Sequence, residues 1–128
     1  MNASDSVISR ELRTRINDIR QTAEGEYTCE IHFDPAFRGF EGHFEGNQIV
    51  PGVCLIEAAR VFAEEVLKNR LETRFSRQCR FRRPIFAGES ADMKMKLAAD
   101  APGTWNIQTE IRVGDAVSAQ LRLRSTEL

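Results

Sequence analysis

The sequence predicts an α+β domain in which one apolar helix lies against an antiparallel sheet. Three observations carry that expectation. Residues 53–68 hold eleven apolar residues, from Val53-Cys54-Leu55-Ile56 to Val66-Leu67, over a length suited to a helix. The segments that follow alternate apolar and polar residues, the period of a strand with one buried face. Tight-turn signals separate those segments, most clearly Pro102-Gly103 and Gly114-Asp115.

Taken in order, residues 4–23 read as a short helical start and then a strand. Ile8, Leu12, Ile16 and Ile19 fall near helical spacing, while Leu12, Thr14 and Ile16 also alternate. Ala23-Glu24-Gly25-Glu26 reads as a hairpin turn. Tyr27, Cys29, Ile31 and Phe33 alternate cleanly, which makes 26–33 a strand. Residues 34–52 contain Pro35, Pro51 and four glycines and read as irregular structure. The first half of the 53–68 helix is apolar nearly all round and should be buried. Its second half, marked by Glu64, Glu65, Lys68 and Asn69, should reach solvent. Strands follow over 74–83, through Ala91, Met93, Met95 and Leu97, through Trp105 to Val113, and through Val117 to Leu123. The total is five or six antiparallel strands.

The chain has 128 residues, 41% hydrophobic and 29% charged, which fits one soluble domain spanning 1–128. A core of this size is modest, so further burial in an oligomer is expected. A net charge of −1 gives no support for a nucleic-acid partner. No apolar run approaches the ~20 residues of a membrane span. Met1-Asn2-Ala3-Ser4-Asp5-Ser6 lacks a signal peptide's apolar region, so a cytoplasmic location is expected. Cys29, Cys54 and Cys79 are widely spaced without a CxxC pattern, so neither a disulfide framework nor a metal site is expected.

The segment richest in chemistry is Gly42-His43-Phe44-Glu45-Gly46-Asn47-Gln48-Ile49-Val50-Pro51-Gly52-Val53-Cys54-Leu55-Ile56-Glu57-Ala58. It places a His and a Glu fourteen positions apart, with a Gly/Pro-punctuated loop between them that runs into the helix. An acid/base pair next to a helix N-terminus suits proton abstraction beside a thioester carbonyl.

Gly42-His43-Phe44, Gly46, Pro51-Gly52-Val53 and Glu57-Ala58 together resemble the signature of the β-hydroxyacyl-[acyl carrier protein] dehydratases, which have the hot-dog fold. Phe81-Arg82-Arg83-Pro84-Ile85-Phe86-Ala87-Gly88-Glu89 resembles the family's second block, and Val113-Gly114-Asp115-Ala116-Val117-Ser118-Ala119 its last hairpin. The chain departs from the family at Gln48, where Pro is usual, at Arg60, where a small residue is usual, and at Val61, where Gln is usual. The resemblance implies an antiparallel sheet wrapped around one central helix, and dehydration of a 3-hydroxyacyl thioester to the trans-2-enoyl thioester.

That reaction needs a base at C2, an acid for the departing C3 hydroxyl, and donors for the charge building on the thioester oxygen. Imidazole suits the first task, and His43 is assigned to it. A carboxyl group held protonated or sharing a water suits the second, and Glu57 is assigned to it. The Gly52 amide, at a helix N-terminus, suits the third. Phe44, Gly46, Pro51, Val53 and Val61 are expected to contact substrate. The acyl group would arrive on the phosphopantetheine arm of acyl carrier protein or coenzyme A, with no other cofactor and no metal. Arg80, Arg82 and Arg83 would attract an acidic carrier or a phosphate. The resemblance further implies a homodimer or trimer of dimers, with the facing His43 and Glu57 drawn from different subunits. The departures at Arg60 and Val61 imply a specialised substrate. The rivals are a hot-dog acyl thioesterase and a non-catalytic acyl-thioester sensor.

Plainer readings stand beside these. Glu57 could be salt-bridged to Arg60 or to a strand arginine. The arginine cluster could be a solvated strand face. Cys54, Met93 and Met95 read as core, and His32 as a polar-face residue without a role.

Overall fold

The computed structural model describes residues 6–41 and 48–128. Helix α1 (Val7–Arg15) comes first, then strands β1 (Ile16–Ala23) and β2 (Glu26–His32), and a single 3₁₀ turn at Arg38–Phe40. Helix α2 (Gly52–Leu67) follows. Strands β3 (Leu71–Phe81), β4 (Ser90–Ala101), β5 (Thr104–Val113) and β6 (Ala116–Glu127) complete the fold. The six strands form one antiparallel sheet in the order β1-β2-β4-β5-β6-β3, with α2 against its inner face.

The expected alternation decides which residues face α2. Along β4, Ala91, Met93 and Met95 are buried while Asp92, Lys94 and Lys96 face out. Ile107 and Ile111 on β5, and Ala119, Leu121 and Leu123 on β6, complete that inner face. Helix α2 meets it with Leu55, Ala58, Ala59, Phe62 and Ala63. The alanines allow close approach, and Phe62 fills the space between. Truncating Phe62 to Ala would cost about 3–5 kcal/mol, from lost transfer energy and the cavity left behind.

The turns are those the sequence signals. Gly25 adopts φ +71°, and a Cβ there would come within 3.0 Å of the Leu97 carbonyl oxygen, so only glycine fits this hairpin. Gly114 and Asp115 join β5 to β6 as a two-residue loop with Val113 paired to Ala116. Helix α1 starts at Ser6, whose Oγ accepts the Ser9 N–H at 3.1 Å, the usual Ser cap.

Two expectations for α2 are corrected. Its apolar first turn is not wholly buried: Val53 keeps 66% of its surface exposed. Its second half does not simply reach solvent either, because Glu64 is buried. The cause is α1, which packs on α2 and covers the third turn while leaving the first turn open. The elements are also shifted, with α2 at Gly52–Leu67 and β3 beginning at Leu71. Lys68 ends α2 in the left-handed region at φ +59°, and its N–H bonds the Glu64 carbonyl oxygen.

Candidate active site

Helix α2 carries Gly52, Val53, Glu57 and Val61 of the candidate residues. Pro51 precedes it in extended geometry and supplies no side-chain cap. The first backbone N–H taken up inside the helix is that of Cys54, bonded to the Pro51 carbonyl at 2.9 Å. Among the described residues, the Gly52 and Val53 amides therefore face outward as open donors, with the positive end of the helix dipole behind them. The Phe81 ring lies over Gly52, and a Cβ at Gly52 would sit 3.0 Å from it. Val53, Phe81 and Phe86 are all exposed, which gives this end of the molecule apolar side chains open to solvent.

Glu57 sits about 7–8 Å further along the axis, at 1.5 Å per residue. Its surroundings are not the apolar ones that the sequence suggests for an acid. Arg60 Nη2 donates to Glu57 Oε2 at 2.6 Å and Arg60 Nε donates to the same oxygen at 3.2 Å. The Ser9 hydroxyl, from α1, donates to it at 3.0 Å. All three bonds fall on Oε2. Among the described residues Oε1 has no partner, and a quarter of the side chain remains exposed. Glu57 is thus held in the geometry of a carboxylate, one oxygen fixed and one open.

Arg60 is the centre of this arrangement and is 1% exposed. Beyond Glu57, its Nη1 donates to Glu64 Oε2 at 2.9 Å and to the Leu71 carbonyl at 3.2 Å, and its Nη2 donates to Ser9 Oγ at 2.6 Å. A guanidinium has five N–H donors, and these five contacts use them all. Glu64 also accepts the Leu71 N–H at 2.7 Å and is bridged by Arg13 of α1 at 2.8 Å. The plainer sequence reading, a Glu57–Arg60 salt bridge, therefore holds. Ser9, Arg13 and Glu64 are residues that sequence reasoning missed. The i, i+3 and i, i+4 spacing of Glu57, Arg60 and Glu64 was a usable signal. Nothing local marks Ser9, which reaches the site from forty-eight positions away.

The other predicted residues fall as follows. His43, Phe44 and Gly46 lie outside the described residues. Val61 is buried one helical turn beyond Glu57. Cys54 is buried, and burial first, then the Glu57 charge, pushes its thiol up to about 11, so it is a packing residue rather than a nucleophile. His32 is exposed with Nδ1 2.8 Å from Ser90 Oγ. The three arginines have different surroundings. Arg83 is paired with Glu89 through two bonds of 3.1 and 2.8 Å, and that pairing holds the Glu89 carboxyl below the usual carboxylate range. Arg82 is exposed just past the end of β3. Arg80 lies on the sheet's outer face, in a cleft of about 440 Å³ that also contains Lys94, Lys96 and Arg122. A bulge between Arg77 and Arg80, with Gln78 at φ +48°, puts both arginines on that face, since a regular strand would place residues three apart on opposite sides. Neither this cleft nor a neighbouring one of about 390 Å³ is lined by Glu57 or Gly52.

A six-stranded antiparallel sheet against a central helix, with a carboxylate on that helix and open amides at its start, defines a hot-dog protein. The model for the family described as ApeI dehydratase matches residues 19–120, most of the chain, and the chain belongs to this ApeI-like family. It is 28% identical over 132 residues to a 3-hydroxyacyl-[acyl-carrier-protein] dehydratase FabZ of Verminephrobacter eiseniae, covering 95% of this chain and 81% of that one. In several other FabZ relatives, matches span 55–66% of the relative's length. Among solved structures it is similar to the dehydratase heterocomplex ApeI:P from Xenorhabdus doucetiae, with a TM-score of 0.69, 19% identity, and coverage of 87% of this chain and 96% of that one. It is also similar in fold to a hypothetical thioesterase with coenzyme A from Streptococcus pneumoniae, with a TM-score of 0.66, 10% identity, and coverage of 87% and 84%.

Proposed function

We propose that the chain dehydrates a 3-hydroxyacyl thioester to the trans-2-enoyl thioester. The observation that carries this reading is Glu57, held by Oε2 with Oε1 open, on the helix whose first amides are unfilled, in a chain of the ApeI-like dehydratase family. His43 takes the C2 proton. Glu57 attends the C3 hydroxyl, which leaves with a proton as water. The Gly52 amide stabilises the thioester oxygen as charge builds there. Pro51, Val53 and Val61, together with Phe44 and Gly46, contact the acyl arm.

The substrate is carried on phosphopantetheine, by acyl carrier protein or coenzyme A, in a cytoplasmic pathway of fatty-acid type. No helix among the described residues is long and apolar enough to cross a membrane. Arg80 and Arg82, whose side chains are exposed, are the better candidates for an acidic carrier; Arg83 already has Glu89 as its counter-ion. The working unit is a homodimer or a trimer of dimers. Exposed Val53, Phe81 and Phe86 beside the edge strand β3 support that, since a second copy would bury them.

The test is to incubate the protein with 3-hydroxyacyl carrier thioesters of several lengths and follow the enoyl product. Enoyl thioester without free thiol is the expected result. One observation favours a second reading: an ionised Glu57 is equally suited to activate water against the thioester carbonyl, as in a thioesterase. Release of free thiol without enoyl product would establish that reading and reject dehydration.

A further inference from the structure

We propose that Arg60 is the positioning residue of this site: it holds Glu57 as an oriented anion, so that Glu57 works in its ionised form. The inference rests on the dehydratase reading above and specifies how Glu57 takes part in it.

The geometry argues for a purpose beyond packing. Moving a guanidinium out of water costs several kcal/mol unless its donors are satisfied. Glu64, the Leu71 carbonyl and Ser9 account for three of the five. The remaining two converge on one oxygen of Glu57. Ser9 then adds a third donor to that same oxygen and is itself fixed by the Ser6 hydroxyl at 2.9 Å. The result is a carboxylate whose rotation is blocked and whose second oxygen stays available. Arg60 in turn cannot swing away, because Glu64 holds its other nitrogen and is itself tied to Arg13 and to the Leu71 N–H. The N-terminal helix α1, through Ser9 and Arg13, is therefore part of the site's support.

The chemistry follows. An ionised Glu57 has no proton to give. Its Oε1 accepts the hydrogen bond of the C3 hydroxyl and fixes the direction in which that group departs. The proton that completes the leaving water is then the one His43 removes from C2: the C2–H bond breaks toward the imidazole, the C3–O bond breaks, and the imidazolium returns the proton to the oxygen. Carbon gains a double bond, one water leaves, and the protein ends as it began.

Among the described residues, the groups facing Glu57 are limited. Helix α1 gives Ser9, with Arg13 beyond it; α2 gives Cys54, Arg60 and Glu64, with Glu65 bound to Arg13; β3 gives only the Leu71 backbone. The Cys54 thiol titrates at about 11, above the working range. Arg60 is thus the cation in direct contact with Glu57.

The experiment compares wild type, Arg60→Lys, Arg60→Met and Ser9→Ala. For each it records kcat and KM against pH, and follows the Glu57 carboxyl by carbon NMR in the substrate-free protein. Removing an adjacent cation moves a carboxyl titration up by about one unit or more. In Arg60→Met the NMR titration should shift up by that much, kcat should fall more than KM rises, and Arg60→Lys should recover most of the loss. Ser9→Ala, which removes one neutral donor, should shift the NMR titration in the same direction by less and decides the matter if Arg60→Met does not fold. An unmoved NMR titration overturns the proposal. So does activity that extends to higher pH in Arg60→Met, because that is what a protonated Glu57 acting as acid would produce. If wild type forms no enoyl thioester at any pH, the dehydratase reading falls, while the NMR titration still decides whether Arg60 holds the anion.

Discussion

At its first turn α2 shows Val53 to solvent with an open Gly52 amide beside it, whereas at its third turn it buries Arg60 between Glu57 and Glu64. Ordinary globular helices bury the apolar residue and expose the charges. The two ends of α2 differ because different elements cover them. Helix α1 lies over the third turn and brings Ser9 and Arg13 to satisfy the charges there. Over the first turn lies the Phe81 ring, itself half exposed, and Val53 beside it stays open to solvent. A surface left apolar at one end and a charge network sealed at the other teach the same lesson: Glu57 has its support on one side and open apolar surface on the other.

The comparison breaks most severely if the chemistry is removed and nothing happens. His43→Ala and Glu57→Gln should each lower the dehydration rate by about 10²–10⁴-fold, the usual loss for a positioned acid or base. The melting curve of His43→Ala should stay near wild type, and that of Glu57→Gln should fall by less than that of Glu64→Ala, because Gln keeps an oxygen acceptor for Arg60 while Glu64 still balances its charge. Near-normal turnover in either variant would remove that residue from the mechanism.

The sealed end should dominate stability. Glu64→Ala removes the more deeply buried of the two carboxylates paired with Arg60 and leaves the Leu71 N–H without its acceptor. Breaking a buried pair in this way costs about 3–5 kcal/mol. Arg13→Ala removes a partly exposed partner of the same Glu64 and should cost under about 1 kcal/mol, since screening weakens such pairs. Urea denaturation of the two variants measures the contrast, and equal effects would show that the network is not the buried unit described.

The open end should dominate association. Val53→Asp places a charge on the exposed apolar patch and should turn the proposed dimer into a monomer in light scattering, with little change in the monomer's own stability because Val53 is 66% exposed within the chain. A dimer that survives this change is held by another surface.

Much of the architecture was legible. The alternation of Ala91, Met93 and Met95 named the buried face of β4, and Gly114-Asp115 named the last hairpin, because both depend on neighbours in sequence. The charge pattern of α2 was not legible in the same way. Glu64 looks like a solvent residue when read beside Glu65 and Lys68. It is buried because α1, fifty positions earlier, lies across it. The Glu57–Arg60 pair was legible, since its three-residue helical spacing is a local signal, but the burial of Arg60 was not. The division among Arg80, Arg82 and Arg83 was hidden as well, since a bulge that resets which side chains share a face leaves no fixed mark in the sequence.

The smallest expected effect concerns Val61, buried one turn beyond Glu57 where the dehydratases it resembles usually carry Gln. Residues four apart on a helix share a face, so a Gln at this position is within reach of the Glu57 side chain. In this chain, though, Glu57 already has its orienting donors in Arg60 and Ser9. A second orienting group would be redundant, and its amide would need partners in a site shaped for an apolar side chain. Val61→Gln should therefore lower stability by about 1–3 kcal/mol, the cost of a buried polar group left unpaired. It should change kcat on a favoured substrate by less than about threefold, a barrier change under ~1 kcal/mol. If instead the substitution raises kcat/KM severalfold on short saturated 3-hydroxyacyl carriers, then Val61 sets substrate choice, and Arg60 is not a sufficient replacement for the missing glutamine. The double variant Val61→Gln/Arg60→Ala separates the two outcomes. Gln should partly restore activity lost with Arg60 only if both side chains do the same work on Glu57.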